Sequence, residues 1–205
     1  MIGRIQYELL KELPAWEAQQ KMAPPLRKPL SKQPLQVRLS AVCILLFYKN
    51  EELHTILIRR TQDGKTHGGQ ISFPGGRFEA NDFSFTYCAQ RECEEEIGLA
   101  ISEMKVLGAM SQLYIPPSNY MVYPVVMFSH KVEDLIASVN EVDEIIEVPL
   151  KNLFDDSCKK RIEVEASSNK VKIKETPIYQ FESYVIWGAT AMILSEFEEI
   201  YNRLR

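Results

Sequence analysis

Three glutamates, Glu92, Glu95 and Glu96, stand at i, i+3 and i+4 within a stretch that reads as a helix over residues 83–97. At 100° per residue they fall within an arc of about 100°, on one side of that helix. Ala89, Cys93 and Ile97, at i, i+4 and i+8, form a neighbouring apolar stripe. One side can therefore face a core while the other projects carboxylates. Gly98 is placed to end the helix as its C′ residue. Like charges at these spacings destabilise an isolated helix by about 0.2–0.5 kcal/mol per pair, and the negative end of the helix dipole adds to the repulsion. The pattern calls for a compensating positive charge. Oxygen donors with no His or Cys among them suit a hard divalent cation, Mg²⁺ or Mn²⁺. A solvated acidic face is the plain alternative for such a run. What sets this one apart is Gly75-Gly76 just upstream, in a glycine-rich turn that permits close backbone approach to a ligand.

Other chemistry-bearing residues flank the cluster. Arg59, Arg60, Lys65 and His67 lie before the glycines and add positive or polar character there; an ordinary basic loop is their other reading. Glu79 and Asp82 stand between the glycines and the helix, and a second acidic run covers residues 140–147. His54 and His130 have no partner in sequence and receive no role. Cys43, Cys88, Cys93 and Cys158 form no C-x-x-C pair and have no His at zinc spacing, so they read as reduced thiols.

The elements that must position these groups give an α+β pattern with no regular βαβ alternation. Residues 2–19 read as one amphipathic helix, with Ile5, Leu9, Leu10 and Leu13 at helical spacing. Pro24, Pro25, Pro29 and Pro34 then forbid helix and make an extended arm. Strands are expected over 37–48 and 53–60, joined by a hairpin around Lys49-Asn50-Glu51-Glu52, and over 105–113, 123–129 and 144–149. Residues 61–72 read as a loop. A hairpin over 163–165 and 171–173 and a final amphipathic helix over 187–204 complete the chain. The expected division is an N-terminal helix and proline-rich arm over 1–35, then one domain over 36–205.

Composition agrees with a folded globule. The chain has 205 residues, 45% hydrophobic and 25% charged, and a net charge of −4. That balance excludes a disordered chain and argues against a nucleic-acid binder, which carries a basic face. The longest apolar run, 41–48, is too short to cross a bilayer, and the N-terminal stretch lacks a secretory apolar core. A cytoplasmic protein with no membrane partner is the expectation.

The residues also resemble a family. Gly76-x5-Asp82-x8-Arg91-Glu92-Cys93-x-Glu95-Glu96-x-Gly98-Leu99 is similar to the Nudix box, G-x5-E-x7-R-E-U-x-E-E-x-G-U with U aliphatic. Asp82 in place of the first Glu, and a spacer longer by one residue, are usual in the coenzyme A pyrophosphatase branch of that superfamily. The upstream segment Leu57-Ile58-Arg59-Arg60-Thr61-x3-Lys65-x3-Gly69-Gln70-Ile71-Ser72-Phe73-Pro74-Gly75-Gly76 also resembles that branch, with Lys65 where Arg is usual. So do Tyr114-Ile115-Pro116-Pro117-Ser118 and Ile186-Trp187-Gly188-Ala189-Thr190-Ala191.

The resemblance implies a Nudix-type α/β/α sandwich with a mixed central sheet. It implies metal-dependent hydrolysis of a diphosphate in coenzyme A or a derivative, with ADP-ribose hydrolysis or a non-catalytic nucleotide-binding module as rivals. Glu92, Glu95 and Glu96 would ligate Mg²⁺ or Mn²⁺, and Arg91 would hold them in register. Glu92 or a carboxylate of another loop, Glu144 or Glu141, would deprotonate the attacking water. Glu79 and Asp82 would support the metal shell or cap the helix. Arg59, Arg60, Lys65, His67, Gly75 and Gly76 would contact the small nucleotide substrate, and Tyr114, Pro116, Pro117 and Tyr120 would line a slot for its pantetheine arm. The N-terminal arm is read either as a homodimer contact or as packing on its own domain.

Overall fold

A computed structural model of the protein describes residues 1–30, 35–62, 68–166 and 171–204. The N-terminal segment holds two short helices, α1 (Ile2–Glu8) and α2 (Ala15–Gln19). Next come β1 (Arg38–Lys49), β2 (Glu52–Arg60), β3 (Ile71–Ser72) and β4 (Gly75–Arg77). Helix α3 (Phe85–Ile97) is followed by β5 (Lys105–Ala109), β6 (Leu113–Ile115), β7 (Tyr120–Phe128) and β8 (Val142–Pro149). The chain then runs through α4 (Leu150–Leu153), β9 (Lys159–Ala166), β10 (Val171–Phe181), β11 (Tyr184–Ile186) and α5 (Gly188–Asn202).

The central sheet is mixed. Its main path runs β3-β2-β1-β7-β5, with β4 added to β1, β6 to β7 and β8 to β2. The β1–β7 pair is parallel, from Arg38 opposite Tyr120 to Leu46 opposite Phe128, and its other pairs are antiparallel. Strands β1 and β2 form the expected hairpin, with Lys49 opposite Glu52. Asn50 and Glu51 both take positive φ (50° and 65°), the turn geometry that suits the right-handed twist of a two-residue hairpin. A second sheet, β11-β10-β9, is antiparallel and carries the predicted late hairpin, longer than expected.

Strand alternation gives the central sheet two different faces. Ile56 and Ile58 of β2 pack with Cys43, Cys88, Ala89, Cys93 and Ile97, the apolar stripe of α3. Leu57, between them, packs with Phe197, Ile193 and Ile200 of α5. Helices thus cover both sides, the sandwich that the resemblance implied.

The expected helix over 2–19 is two helices separated by residues 9–14, and Pro14 stands as the N-cap of the second. Proline lacks the N–H that an interior helical position must donate, so a helix restarts at it and does not pass through it. Leu10 is exposed as a result, whereas Ile5, Leu9 and Met22 join the α5 core. Buried Glu196 of α5 ties the segment down. It accepts from Ala15 N–H at 3.2 Å, Ser111 N–H at 3.3 Å and Gln19 Nε2 at 2.9 Å. Ser195 Oγ donates to Ala18 O at 2.8 Å. Two further corrections concern strands. Residues 105–113 are broken into β5 and the start of β6, and Gly75-Gly76 lies in strand β4 where a glycine-rich turn was expected.

A candidate carboxylate site on helix α3

Helix α3 is well delimited. Ser84 Oγ accepts from Tyr87 N–H at 3.0 Å as the N-cap, so the helix starts two residues later than expected. Gly98 closes it in the left-handed conformation, φ 74°, its N–H donating to Glu94 O at 2.9 Å. Between these ends the three glutamates diverge in environment. Glu95 is exposed, Glu92 is buried to 9% exposure, and Glu96 is fully buried.

Glu96 turns inward, under β4 and β2. Gly75 N–H donates to its Oε2 at 2.8 Å, and Arg60 Nη1 meets its Oε1 at 3.0 Å. Arg60 Nη1 also donates to Gly75 O at 3.4 Å, so Arg60, Gly75 and Glu96 close a triangle. Burial pushes the Glu96 carboxyl up to about 7 even though Arg60 and the Gly75 N–H favour its charged form.

Arg91 gathers the remaining carboxylates. Its Nε and Nη2 each lie 2.9 Å from an oxygen of Asp82, a two-point contact that only a guanidinium makes. Its Nη1 donates to Glu92 Oε1 and to Glu95 Oε2, both at 2.9 Å, and Nη2 also donates to Arg77 O at 3.1 Å. These hydrogen bonds hold the Asp82 carboxyl down to about 2. Asp82 in turn accepts Glu79 N–H at 2.8 Å, which makes it the anchor of Arg91 and of the loop entering α3. Glu79 is exposed. Burial raises Glu92 too, against the pull of Arg91 and with added repulsion from Glu95 and Glu141.

The sheet allows this closeness through glycine. An ideal Cβ on Gly76 would sit 2.2 Å from Glu92 Oε2, so only the absence of a side chain lets β4 lie against the carboxylate. Glu141 lies in a turn tied to the end of the helix. Ser138 N–H donates to Glu96 O at 2.9 Å and Glu141 N–H to Ser138 O at 3.1 Å, which ties that turn to the end of α3. The Glu141 charge bears on both Glu92 and Glu96.

The donor set fits a hard cation in kind: oxygen atoms only, graded from exposed Glu95 to fully buried Glu96 and mutually repelling, with two carboxyls pushed up by burial and negative neighbours. As they stand, no three acidic, thiol or imidazole groups among the described residues are gathered to hold an ion. Glu96 spends both oxygens on protein donors and Glu92 and Glu95 lean on Arg91, so loading a metal requires these side chains to turn.

Two candidates lie elsewhere. Arg59 pairs with Glu144 (3.0 Å) across β2 and β8, and Tyr184 Oη donates to Glu144 at 2.7 Å. The Arg59 guanidinium also sits 5.4 Å from the centre of the Tyr184 ring. This trio is on the α5 side of the sheet, as strand alternation requires once Arg60 faces α3. The structure therefore brings Arg60, Gly75, Gly76, Arg91, Glu92, Glu95 and Glu96 together, and leaves Arg59 and Glu144 on the opposite face. Lys65 and His67 lie outside the described residues. The Arg60–Glu96 pair was the missed contact, and its one signal was that Arg60, not Arg59, shares parity with the α3-facing Ile56 and Ile58.

The NUDIX domain model matches residues 37–166 of the chain. NudL, an uncharacterized Nudix hydrolase of Photorhabdus laumondii, is 30% identical over 144 residues, covering 70% of this chain and 75% of that one. Among solved structures, a Nudix hydrolase of M. smegmatis, RenU, superposes with a TM-score of 0.57 at 12% identity, over 90% of this chain and 95% of that one. The NUDIX domain of Shewanella oneidensis NrtR, solved with ADP ribose, gives 0.52 at 13% identity, over 88% and 95%. These two likenesses concern the fold. Among the described residues no helix is long and apolar enough to cross a membrane. On the matched domain and the relative together, the chain belongs to the Nudix hydrolase family.

Proposed function

We propose that this Nudix hydrolase cleaves the diphosphate of coenzyme A or its derivatives, releasing 3′,5′-ADP and (acyl-)4′-phosphopantetheine, with Mg²⁺ or Mn²⁺. The observation that supports this most is how the segment resembling the coenzyme A branch meets the box. Arg60, at its start, and Gly75, at its end, both bind Glu96.

A bound divalent cation would supply charge neutralisation of the diphosphate and a more acidic water. The chain's own residues do the rest. Glu92, Glu95 and Glu96 are the proposed ligands. Arg91 keeps Glu92 and Glu95 adjacent, and Asp82 fixes Arg91 from behind. Arg60 orients Glu96 and, if Glu96 turns to a metal, presents its guanidinium to a phosphate oxygen. Glu141 is the better placed second-loop base, because Glu144 is engaged by Arg59 and Tyr184.

Incubation with coenzyme A and Mg²⁺ or Mn²⁺, with products identified by mass spectrometry, tests the reading. 3′,5′-ADP and 4′-phosphopantetheine are the expected products. Faster turnover of ADP-ribose than of coenzyme A would reassign the substrate. No cleavage of any diphosphate in a broad panel would make the chain a nucleotide-binding module.

A further inference from the structure

Away from the carboxylate site, the proline arm folds against the β6–β7 hairpin and gathers cations there. Arg27 Nη2 donates to Tyr114 O, and Arg38 Nη2 donates to Ser118 O. The Arg38 guanidinium stacks over Tyr120, 4.4 Å from the ring centre. Tyr114 Oη and the Arg38 N–H fix the turn from both sides, each bonding Asn119, at 3.0 and 2.9 Å. An open cavity of about 310 Å³ lies between arm and hairpin, lined by Arg27, Lys28, Leu30, Tyr114 and Pro116 among others.

These cations are not neutralised. Among the described residues no carboxylate pairs with Arg27, Lys28 or Arg38; the arginines meet only neutral carbonyls and a ring. Arg27 Nε and Ser118 Oγ are buried without a partner among the described residues, and Ser118 is only 7% exposed. Burial pulls the Arg27 guanidinium below its ordinary value, opposed by the Tyr114 phenol and by no carboxylate. A half-buried fork of N–H donors without a counter-charge is a costly arrangement that an anion relieves. In a chain of net charge −4, two cations lining one cavity, with Arg38 beside them on the same hairpin and no carboxylate paired with any of the three among the described residues, stand out.

The cavity is also near the carboxylate site without being part of it. Phe78 N–H donates to Leu39 O, Leu39 is opposite Met121, and Met121 is opposite Tyr114. Phe78, next to the last residue of β4, is thus three strand spacings from Tyr114, about 14 Å across the sheet.

We propose that the proline arm and the β6–β7 hairpin form a second anion site, which takes a phosphate group on Arg27 and Lys28 and the apolar body carrying it on Leu30, Tyr114 and Pro116. The phosphate comes either from the far end of the substrate or from a separate phosphorylated molecule. Adenosine 3′,5′-bisphosphate and inorganic phosphate, titrated calorimetrically against the full chain in EDTA, probe the site without the metal-dependent reaction. The expected result is binding that weakens with salt, and about tenfold in Arg27→Gln. Lys28→Gln, at an exposed position with no bond holding the arm, weakens it severalfold and decides the matter if Arg27→Gln unfolds. No binding, or equal binding by wild type and Lys28→Gln, overturns the proposal. Kinetics then identify the source, and only this arm rests on the coenzyme A reading. A KM raised in Lys28→Gln for coenzyme A but not for its 3′-dephospho form, at unchanged kcat, assigns the site to the substrate's own phosphate. Weakened binding with both kinetics unchanged assigns it to a separate ligand. Failure of coenzyme A turnover itself sinks the proposed function and leaves the titration standing.

Discussion

Gly75 and Gly76 are neighbours in one short strand, yet substituting each by alanine should injure different properties. At Gly76 the new Cβ would lie 2.2 Å from Glu92 Oε2, 2.4 Å from its Cδ and 2.5 Å from its Oε1. Ordinary contacts begin near 3.5 Å, so the Glu92 carboxylate must retreat by about 1 Å or more. It is the free end of a side chain and can do so, giving up its bond from Arg91 at a cost of about 0.5–1.5 kcal/mol. A displacement of that size in a catalytic group costs about a hundredfold in rate. At Gly75 the Cβ would meet backbone, Ala41 O at 2.5 Å and Val42 Cα at 2.7 Å, in the middle of β1. A strand paired on both sides cannot retreat, so overpacking of about 1–3 kcal/mol falls on stability. Urea unfolding and steady-state hydrolysis of coenzyme A, run on both variants, separate the effects. Gly76→Ala should fold nearly normally and lose about two orders of magnitude in kcat; Gly75→Ala should lose stability. Wild-type turnover in Gly76→Ala would remove Glu92 from the reaction. Instability equal to that of Gly75→Ala would show that the carboxylate cannot swing away.

Other expectations follow from the same contacts. Glu96→Gln keeps an acceptor for Gly75 N–H but loses the charge, so turnover should fall at least about a hundredfold while a thermal melt shows an intact fold. Glu141→Gln should slow hydrolysis tenfold or more and Glu144→Gln should leave kcat within about twofold, since only Glu141 bears on the box carboxylates; the reverse order would restore Glu144 as the base. Asp82 is held down to about 2, below its ordinary value near 4, by Arg91. Its folded pKa is depressed, so its contribution is present above about pH 4 and lost as pH falls toward 2. That contribution is about 2 kcal/mol as an upper figure, and Asp82→Asn should flatten this part of the acid denaturation curve measured by circular dichroism. Arg91→Lys should destabilise the protein by about 1–3 kcal/mol in urea, because one ammonium cannot serve Asp82, Glu92 and Glu95 together.

What the sequence disclosed was mostly local. The period of α3, its apolar stripe and its closing Gly98 are written in 3.6-residue spacing, and the structure follows them. The β1–β2 hairpin was legible because two apolar runs flank a short polar turn. The parallel β1–β7 pairing was not, since strands some 80 residues apart leave no local trace of their register. The late sheet was underestimated because β9 and β10 are rich in exposed charge, which masks alternation. At the site, spacing placed the glutamates on one side of a helix but could not say that burial would split them into an inward Glu96 and an outward Glu95. Nor did a motif reveal that Asp82 serves Arg91. The Arg59-Arg60 pair shows the limit most plainly: composition treats the two alike, and the pleat sends them apart.

That separation also bears on how the molecule can change. Strand β2 acts as a partition wall, with consecutive side chains belonging to two rooms that share no furniture. Substitutions at Arg59, Glu144 or Tyr184 can accumulate without disturbing Arg60, Gly75 and Glu96. A lineage could therefore refit the outer room for new ligands while the one holding the box carboxylates stays untouched.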